Sequence, residues 1–170
     1  ESVEGERKDD QLDLVDLLVH LRDELKTAWP DREIELVTSS SLCVLGNAAE
    51  LRSAISNLIV NALKYSEAPI SVKWSDTLVG PELIVEDQGL GIDAKHIPRL
   101  TERFYRVDKS RSQATGGTGL GLAIVKHVAV SHDAKLFIDS ELGRGSTFRL
   151  VFPNDRAVSS TEIRRAVSGQ

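Results

Sequence analysis

The run Gly116-Gly-Thr-Gly-Leu-Gly-Leu-Ala-Ile-Val-Lys126 constrains this chain more than any other stretch, because it changes halfway from a glycine-rich loop into a helix. Gly117, Gly119 and Gly121 can take positive φ and let a ligand approach the backbone closely. Leu122, Ala123, Val125, Lys126 and His127 continue as a helix. A glycine loop that feeds a helix N-terminus presents unpaired N–H groups and the positive end of the macrodipole, which together suit phosphate. A P-loop is excluded, since no Gly-x-x-x-x-Gly-Lys-Ser/Thr run exists. A dinucleotide fingerprint is excluded too: the spacing is G-x-G-x-G, and the polar loop Lys109-Ser-Arg-Ser-Gln-Ala-Thr115, not a buried strand, precedes it. A plain helix-starting turn remains the alternative to a nucleotide site, and residues elsewhere must decide between them.

With 170 residues and 41% hydrophobic content, the chain is expected to form one domain with a sizeable core and no second full domain. Its net charge of −5, with 28% charged residues, argues against a general nucleic-acid-binding surface. The single Cys43, in the apolar run Leu42-Cys-Val-Leu45, permits no internal disulfide and reads as a small core residue in a reducing compartment. No apolar run approaches the roughly 20 residues that span a bilayer, and no signal-peptide pattern opens the chain. There is no Met, so Glu1 is not expected to be the natural start and the chain reads as a piece of a longer protein.

Glu1 to Asp10 is charge-dense and fits a linker or a frayed helix end. Leu14, Leu17, Leu18, Leu21 and Leu25 predict a helix to about Trp29, ended by Pro30-Asp31. Strands are predicted over Glu33 to Val37 and Leu42 to Leu45. A second helix starts at Asn47 as N-cap with Glu50 three residues on, the pattern of a capping box, and its stripe Leu51, Ala54, Ile55, Leu58 and Ala62 is expected to be buried. Asn57, Asn61 and Lys64 recur at i, i+4 and i+7 and so share one face of that helix. Asn in mid-helix is a poor helix former and gains little from exposure alone. Two of them on one stripe therefore argue for a shared ligand, with neutral oxygens for Mg²⁺ beside a Lys that can meet phosphate. Tyr65 is either an amphipathic boundary residue or a flat surface for a base.

Strands are next predicted over Ile70 to Trp74 and Glu82 to Glu86, the second running into Asp87-Gln-Gly-Leu-Gly-Ile92. A carboxylate there can accept from a ring amino group, while Gly89 and Gly91 leave room for the ring; an ordinary turn has the same residues. Asp93 to Thr118 has no strand pattern and reads as a long loop of the kind that forms lids, expected to order on nucleotide binding. It is locally basic, with Lys95, Arg99, Arg103, Arg106, Lys109 and Arg111, and Ile97-Pro98 and Phe104-Tyr105 are its expected anchors. A third helix to about Ser131 precedes a terminal hairpin, Lys135 to Ser140 and Ser146 to Phe152, turning at Leu142-Gly-Arg-Gly145.

Taken together, Asn57-Leu-Ile-Val-Asn-Ala-Leu-Lys-Tyr-Ser66, Asp87-Gln-Gly-Leu-Gly91, Glu102-Arg-Phe-Tyr-Arg-Val-Asp108, Gly117-Thr-Gly-Leu-Gly-Leu122 and Gly143-Arg-Gly-Ser-Thr-Phe148 resemble, in order, the N, G1, F, G2 and G3 boxes of the catalytic ATP-binding domain of bacterial sensor histidine kinases. The likeness covers nearly everything from Leu12 to Pro153. It is closer to the phosphate-regulon sensor kinase subfamily, where Leu100-Thr101 replaces Ile-Phe and Asp133-Ala134 replaces Gly-Gly. The resemblance implies an α/β (α+β) two-layer sandwich, the Bergerat fold, with a mixed, mostly antiparallel sheet of about five strands and three helices on one face. It implies a linker at 1–11, a catalytic ATP-binding domain at 12–153 and a polar tail at 154–170.

It also implies the ligands ATP and Mg²⁺. Asn61, helped by Asn57, would coordinate the metal; Lys64 and Arg106 would neutralise phosphate charge; Tyr65 would pack on adenine. Asp87 would accept the adenine amino group in a pocket shaped by Gly89 and Gly91, and Ser146 would approach the adenine side. The amides of Gly117, Thr118, Gly119, Leu120, Gly121 and Leu122 would hold phosphates. Implied partners are a dimerisation and phosphoacceptor domain of the same kinase and a downstream response regulator, with this domain monomeric, its parent a homodimer anchored in the inner membrane, and the domain itself cytoplasmic.

The acceptor histidine of such kinases lies in a Ser/Thr-His-Glu/Asp-Leu-Arg motif, which His20, His96, His127 and His132 all lack. His20, in Val19-His-Leu-Arg, comes nearest but lies on the first helix without the acidic neighbour, and His96, His127 and His132 read as ordinary boundary residues. The chain is therefore expected to bind Mg-ATP without phosphorylating itself. The competing readings are a non-catalytic nucleotide-sensing module, which would not need Asn61, Lys64 and Arg106 together, and an ATPase with a Glu just ahead of its metal Asn, where this chain has Ser56 and Val60.

Overall fold

In the computed structural model, which describes residues 9–107 and 119–159, two sheets and three helices share one core. Strand β1 (Asp10–Asp13) leads into α1 (Leu14–Ala28), whose N-cap Asp13 accepts from Asp16 N–H at 3.1 Å. Strands β2 (Ile34–Thr38) and β3 (Leu42–Gly46) follow, then α2 (Ala48–Tyr65), β4 (Ile70–Asp76) and β5 (Pro81–Asp87). After a 3₁₀ turn at Ile97–Arg99 come α3 (Gly121–Ser131), β6 (Lys135–Glu141), β7 (Gly145–Val151), a 3₁₀ turn at Asn154–Arg156 and β8 (Ala157–Ser159).

The main sheet has the order β2-β4-β5-β7-β6. Only β2 and β4 run parallel, a pairing that needs a long crossover, here β3 and α2; every other pair is antiparallel. Residues alternate along β4 and β5, burying Ile70, Val72, Trp74, Leu83 and Val85 on one face, with Val72 opposite Val85 and Trp74 opposite Leu83. Phe148 and Leu150 on β7 continue that face, and Trp74 meets Phe152 edge to face at 6.1 Å. All three helices cover it, through Leu14, Leu18 and Leu21 of α1, Leu51, Ile55, Leu58 and Ile59 of α2, and Val125 and Val128 of α3. Burial of each such side chain contributes about 1.5–3 kcal/mol. This is the expected five-stranded sheet with three helices on one face.

A second sheet, β1-β3-β8, was not foreseen. Its outer strands reach residues 10 and 159, so paired backbone lies on both sides of the expected limits 12 and 153, and 154–159 is a turn and a strand where a polar tail was expected. β1, with two Asp in four residues, and β8, only three residues long, are too short to show an alternation, and they form because β3 offers two free edges. Cys43 on β3 is buried, as expected, and burial, then Asp13, pushes its thiol pKa up.

Among the described residues of the long loop, the expected anchor Phe104 is 70% exposed. Leu100 is buried instead, and Tyr105 is held by a hydrogen bond with His96 Nδ1 and by the Arg99 guanidinium 4.5 Å above its ring. Phe104 has φ +64 and spends its N–H on the carbonyl of Gly119, which fixes its backbone rather than its ring.

Candidate nucleotide-binding site

The N-terminus of α2 is set by Asn47, whose Oδ1 accepts from Glu50 N–H at 3.0 Å. The reciprocal half of the expected capping box is made by another residue: Asn47 N–H donates to Nε2 of His132 at 3.0 Å. His132 is 2% exposed and its Nδ1 lies 2.8 Å from the carbonyl of Val128, so the ring carries its proton on Nδ1 and bridges the start of α2 to the end of α3. The reading of His132 as an ordinary boundary residue is thus corrected; a His just past a helix gives no sign of a contact 85 residues back. A β-carbon on Gly46 would come within 2.5 Å of the ring, so Gly46 admits it.

Further along α2, the expected stripe is buried, and Asn57, Asn61 and Lys64 are half-buried on the adjoining face. Asn57 Nδ2 donates to the carbonyl of Ser53 at 2.8 Å, leaving Oδ1 turned to the first residue of α3: a β-carbon on Gly121 would stand 3.0 Å from it. So the N box touches the glycine loop. Gly119, at φ +74, is pressed against the backbone of Phe104 and Tyr105, and its carbonyl accepts from Phe104 N–H at 3.0 Å. The F box therefore joins the same junction, with half-buried Arg106 next in sequence. Leu120 and Leu122 are half-buried there. Gly117, Thr118, Lys109 and Arg111 lie outside the described residues.

The end of α2 meets the other glycine turn. Tyr65 is 40% exposed, and its carbonyl accepts from Leu90 N–H at 3.4 Å and leaves no space for a side chain at Gly89. Asp87, 7% exposed, accepts from Gly89 N–H at 2.9 Å through Oδ1. Burial raises its pKa, and the Gly89 and Ser146 N–H groups pull it partly back. Ser146 is the register partner of Asp87 on β7, 7% exposed, with its Oγ 2.8 Å from Ser140 Oγ. Ser140 also accepts from Ile92 N–H at 2.7 Å, and Gly91, at φ +70, abuts the carbonyl of Glu141. Ser140 was not singled out in the sequence, since one Ser on a strand carries no signal.

Asn57, Asn61, Lys64, Tyr65, Asp87, Gly89, Gly91, Arg106, Gly119, Gly121 and Ser146 thus belong to one chain of contacting segments. It offers a buried carboxylate at one end and, at the other, the Asn57 amide oxygen beside a helix N-terminus, with Asn61 one turn further along α2. Two amide oxygens with no acidic partner suit Mg²⁺ only when phosphate oxygens and waters complete its shell. Among the described residues, no three His, Cys, Asp or Glu side chains cluster as a metal site of their own. Those donors therefore fit a metal that arrives with a phosphate ligand.

Residues 46–156 match the family described as histidine kinase-, DNA gyrase B-, and HSP90-like ATPase. The chain is 50% identical over 140 residues to the phosphate regulon sensor protein PhoR of Pseudomonas aeruginosa, covering 80% of this chain and 32% of the relative. It thus spans about a third of the length of that curated relative. Among solved structures, a mycobacterial sensor histidine kinase, MprB, superposes with a TM-score of 0.75 at 28% identity, covering 85% of this chain and 97% of the other. Full-length ShkA in complex with AMPPNP superposes at 0.74 and 28% identity, covering 87% of this chain and 31% of that one.

Proposed function

The chain belongs to the family of histidine kinase-, DNA gyrase B- and HSP90-like ATPases, and from that premise we propose that it is the Mg-ATP-binding catalytic domain of a two-component sensor histidine kinase. It passes the γ-phosphoryl group of ATP to a histidine on a separate dimerisation domain. The observation that carries this reading is the contact of Asn57 with Gly121, which sets a neutral oxygen of α2 against the N-terminus of α3. Bound Mg²⁺ would supply charge neutralisation on the phosphate oxygens. Asn61 and Asn57 would hold it, Lys64 and Arg106 would meet phosphate, and the amides from Gly117 to Leu122 would cradle the triphosphate.

At the other end, Tyr65 would lie against adenine and Asp87 would accept its amino group, with Gly89, Gly91 and Ser146 shaping that side. Phosphoryl transfer needs positioning and charge neutralisation more than covalent help from the protein, so this set of groups is sufficient on the donor side. The name of the Pseudomonas relative supports a role in phosphate-starvation signalling. The partners are a phosphoacceptor domain of the same kinase and a response regulator. The parent is a homodimer anchored in the inner membrane, with this domain cytoplasmic. No helix among the described residues is long and apolar enough to cross a membrane.

The test is incubation with γ-labelled ATP and Mg²⁺. The chain alone should acquire no acid-labile phosphate, and an added dimerisation domain bearing the acceptor His should become labelled. Acid-labile phosphate on the isolated chain, or no labelling of the added domain, would overturn the proposal.

A further inference from the structure

α2 carries the proposed metal and phosphate ligands, yet its end lacks the usual means of termination. The helix stops at Tyr65 and its C-cap Ser66 is extended, with φ −138 and ψ 150, so no left-handed residue turns the chain back to satisfy the last carbonyls. Arg32 takes one of them, the carbonyl of Leu63. From the loop between α1 and β2, it donates through Nη1 to the carbonyl of Leu63 at 2.6 Å and through Nη2 to that of Ala68 at 3.2 Å. One planar guanidinium thus holds the last turn of α2 and the exit from it in a fixed relation, at a helix end where positive charge is also favoured. The residues inside that span include Lys64 and Tyr65. The carbonyl of Tyr65 in turn sits on Gly89 and takes the N–H of Leu90, and Gly89 N–H holds Asp87 Oδ1.

We propose that Arg32 is a specificity-determining positioning residue: by clamping the exit of α2 it fixes the Tyr65 carbonyl, and through Gly89 it sets where the Asp87 carboxylate meets the base of the nucleotide. This rests on the reading of Asp87 as the group that accepts the adenine amino proton. Guanine presents a carbonyl where adenine presents that amino group, so a carboxylate held in place rejects guanine, and one that drifts does so less well. Arg32 touches neither base nor phosphate, and its loss relaxes the choice between bases rather than the grip on the triphosphate.

The 170-residue chain is titrated calorimetrically with the non-hydrolysable analogues of ATP and GTP in Mg²⁺, as wild type, Arg32→Ala and Arg32→Lys, with melting temperatures recorded in parallel. The wild type prefers the adenine analogue. In Arg32→Ala that preference falls about tenfold. Arg32→Lys, with one nitrogen where the two of the guanidinium fork reach separate carbonyls, falls between the two and decides the matter if the Ala variant does not fold. An unchanged preference in the folded variants, or an equal loss of affinity for both analogues, overturns the role of Arg32. A wild type that binds neither analogue, or both alike, overturns the site reading on which it rests.

Discussion

The first residue of α3 and the amide in the middle of α2 touch with almost no space between them: a β-carbon on Gly121 would lie 3.0 Å from Asn57 Oδ1. Asn57 cannot move aside freely, because its Nδ2 is tied to the Ser53 carbonyl at 2.8 Å. Two segments far apart in the chain are therefore joined at the point where metal and phosphate ligands are proposed to meet.

Gly121→Ala should separate stability from binding. Alanine's gain over glycine, up to about 1 kcal/mol in a helix interior, is set against the tight contact with Asn57, so the melting temperature should change little, while the displaced Asn57 amide weakens binding of the Mg-ATP analogue about tenfold. Calorimetric titration reads this directly, and an unaltered affinity would place the junction outside the site.

Asn61→Ala removes an amide from a helix that gains from alanine, so the fold should keep its stability. Phosphoryl transfer to an added acceptor domain should drop by about 100-fold or more, as the loss of a charge-stabilising group in a transfer site does. Transfer within a factor of about three of wild type would dismiss Asn61 as a metal ligand.

Asp87 couples stability to pH. Burial raises its carboxyl pKa above the usual 3.8, partly offset by the Gly89 and Ser146 N–H groups. A raised folded-state pKa favours the fold below the unfolded value, and that contribution is lost as pH rises through the folded value. The ionised group therefore costs stability at pH 7. Asp87→Asn should melt a few degrees higher at pH 7, lose that advantage as pH falls toward about 3.8, and no longer bind the ATP analogue. A melting temperature at pH 7 equal to or below wild type would contradict this.

His132→Ala should be costly although it lies far from any proposed ligand. It opens a cavity and leaves Asn47 N–H without its acceptor, together about 2–4 kcal/mol. Urea unfolding monitored by circular dichroism measures it, and a loss below about 1 kcal/mol would mean the imidazole bridge contributes little.

Apolar spacing in α1, α2, β4 and β5 follows from local periodicity, so those elements and their buried residues were legible in the sequence, as were the N-cap at Asn47 and the face shared by Asn57, Asn61 and Lys64. The five motifs could be read too, since each consists of residues close together in the chain. What tertiary structure alone decided were contacts between residues far apart: Gly121 on Asn57, Gly89 under the Tyr65 carbonyl, His132 on Asn47, Arg32 on Leu63 and Ala68, and the pairing of β1 and β8 with β3. The physical reason is one of range. Periodicity and capping depend on neighbours within a turn or two, whereas a donor for a distant carbonyl, or a glycine that admits a distant backbone, has meaning only once the whole core has brought the two together.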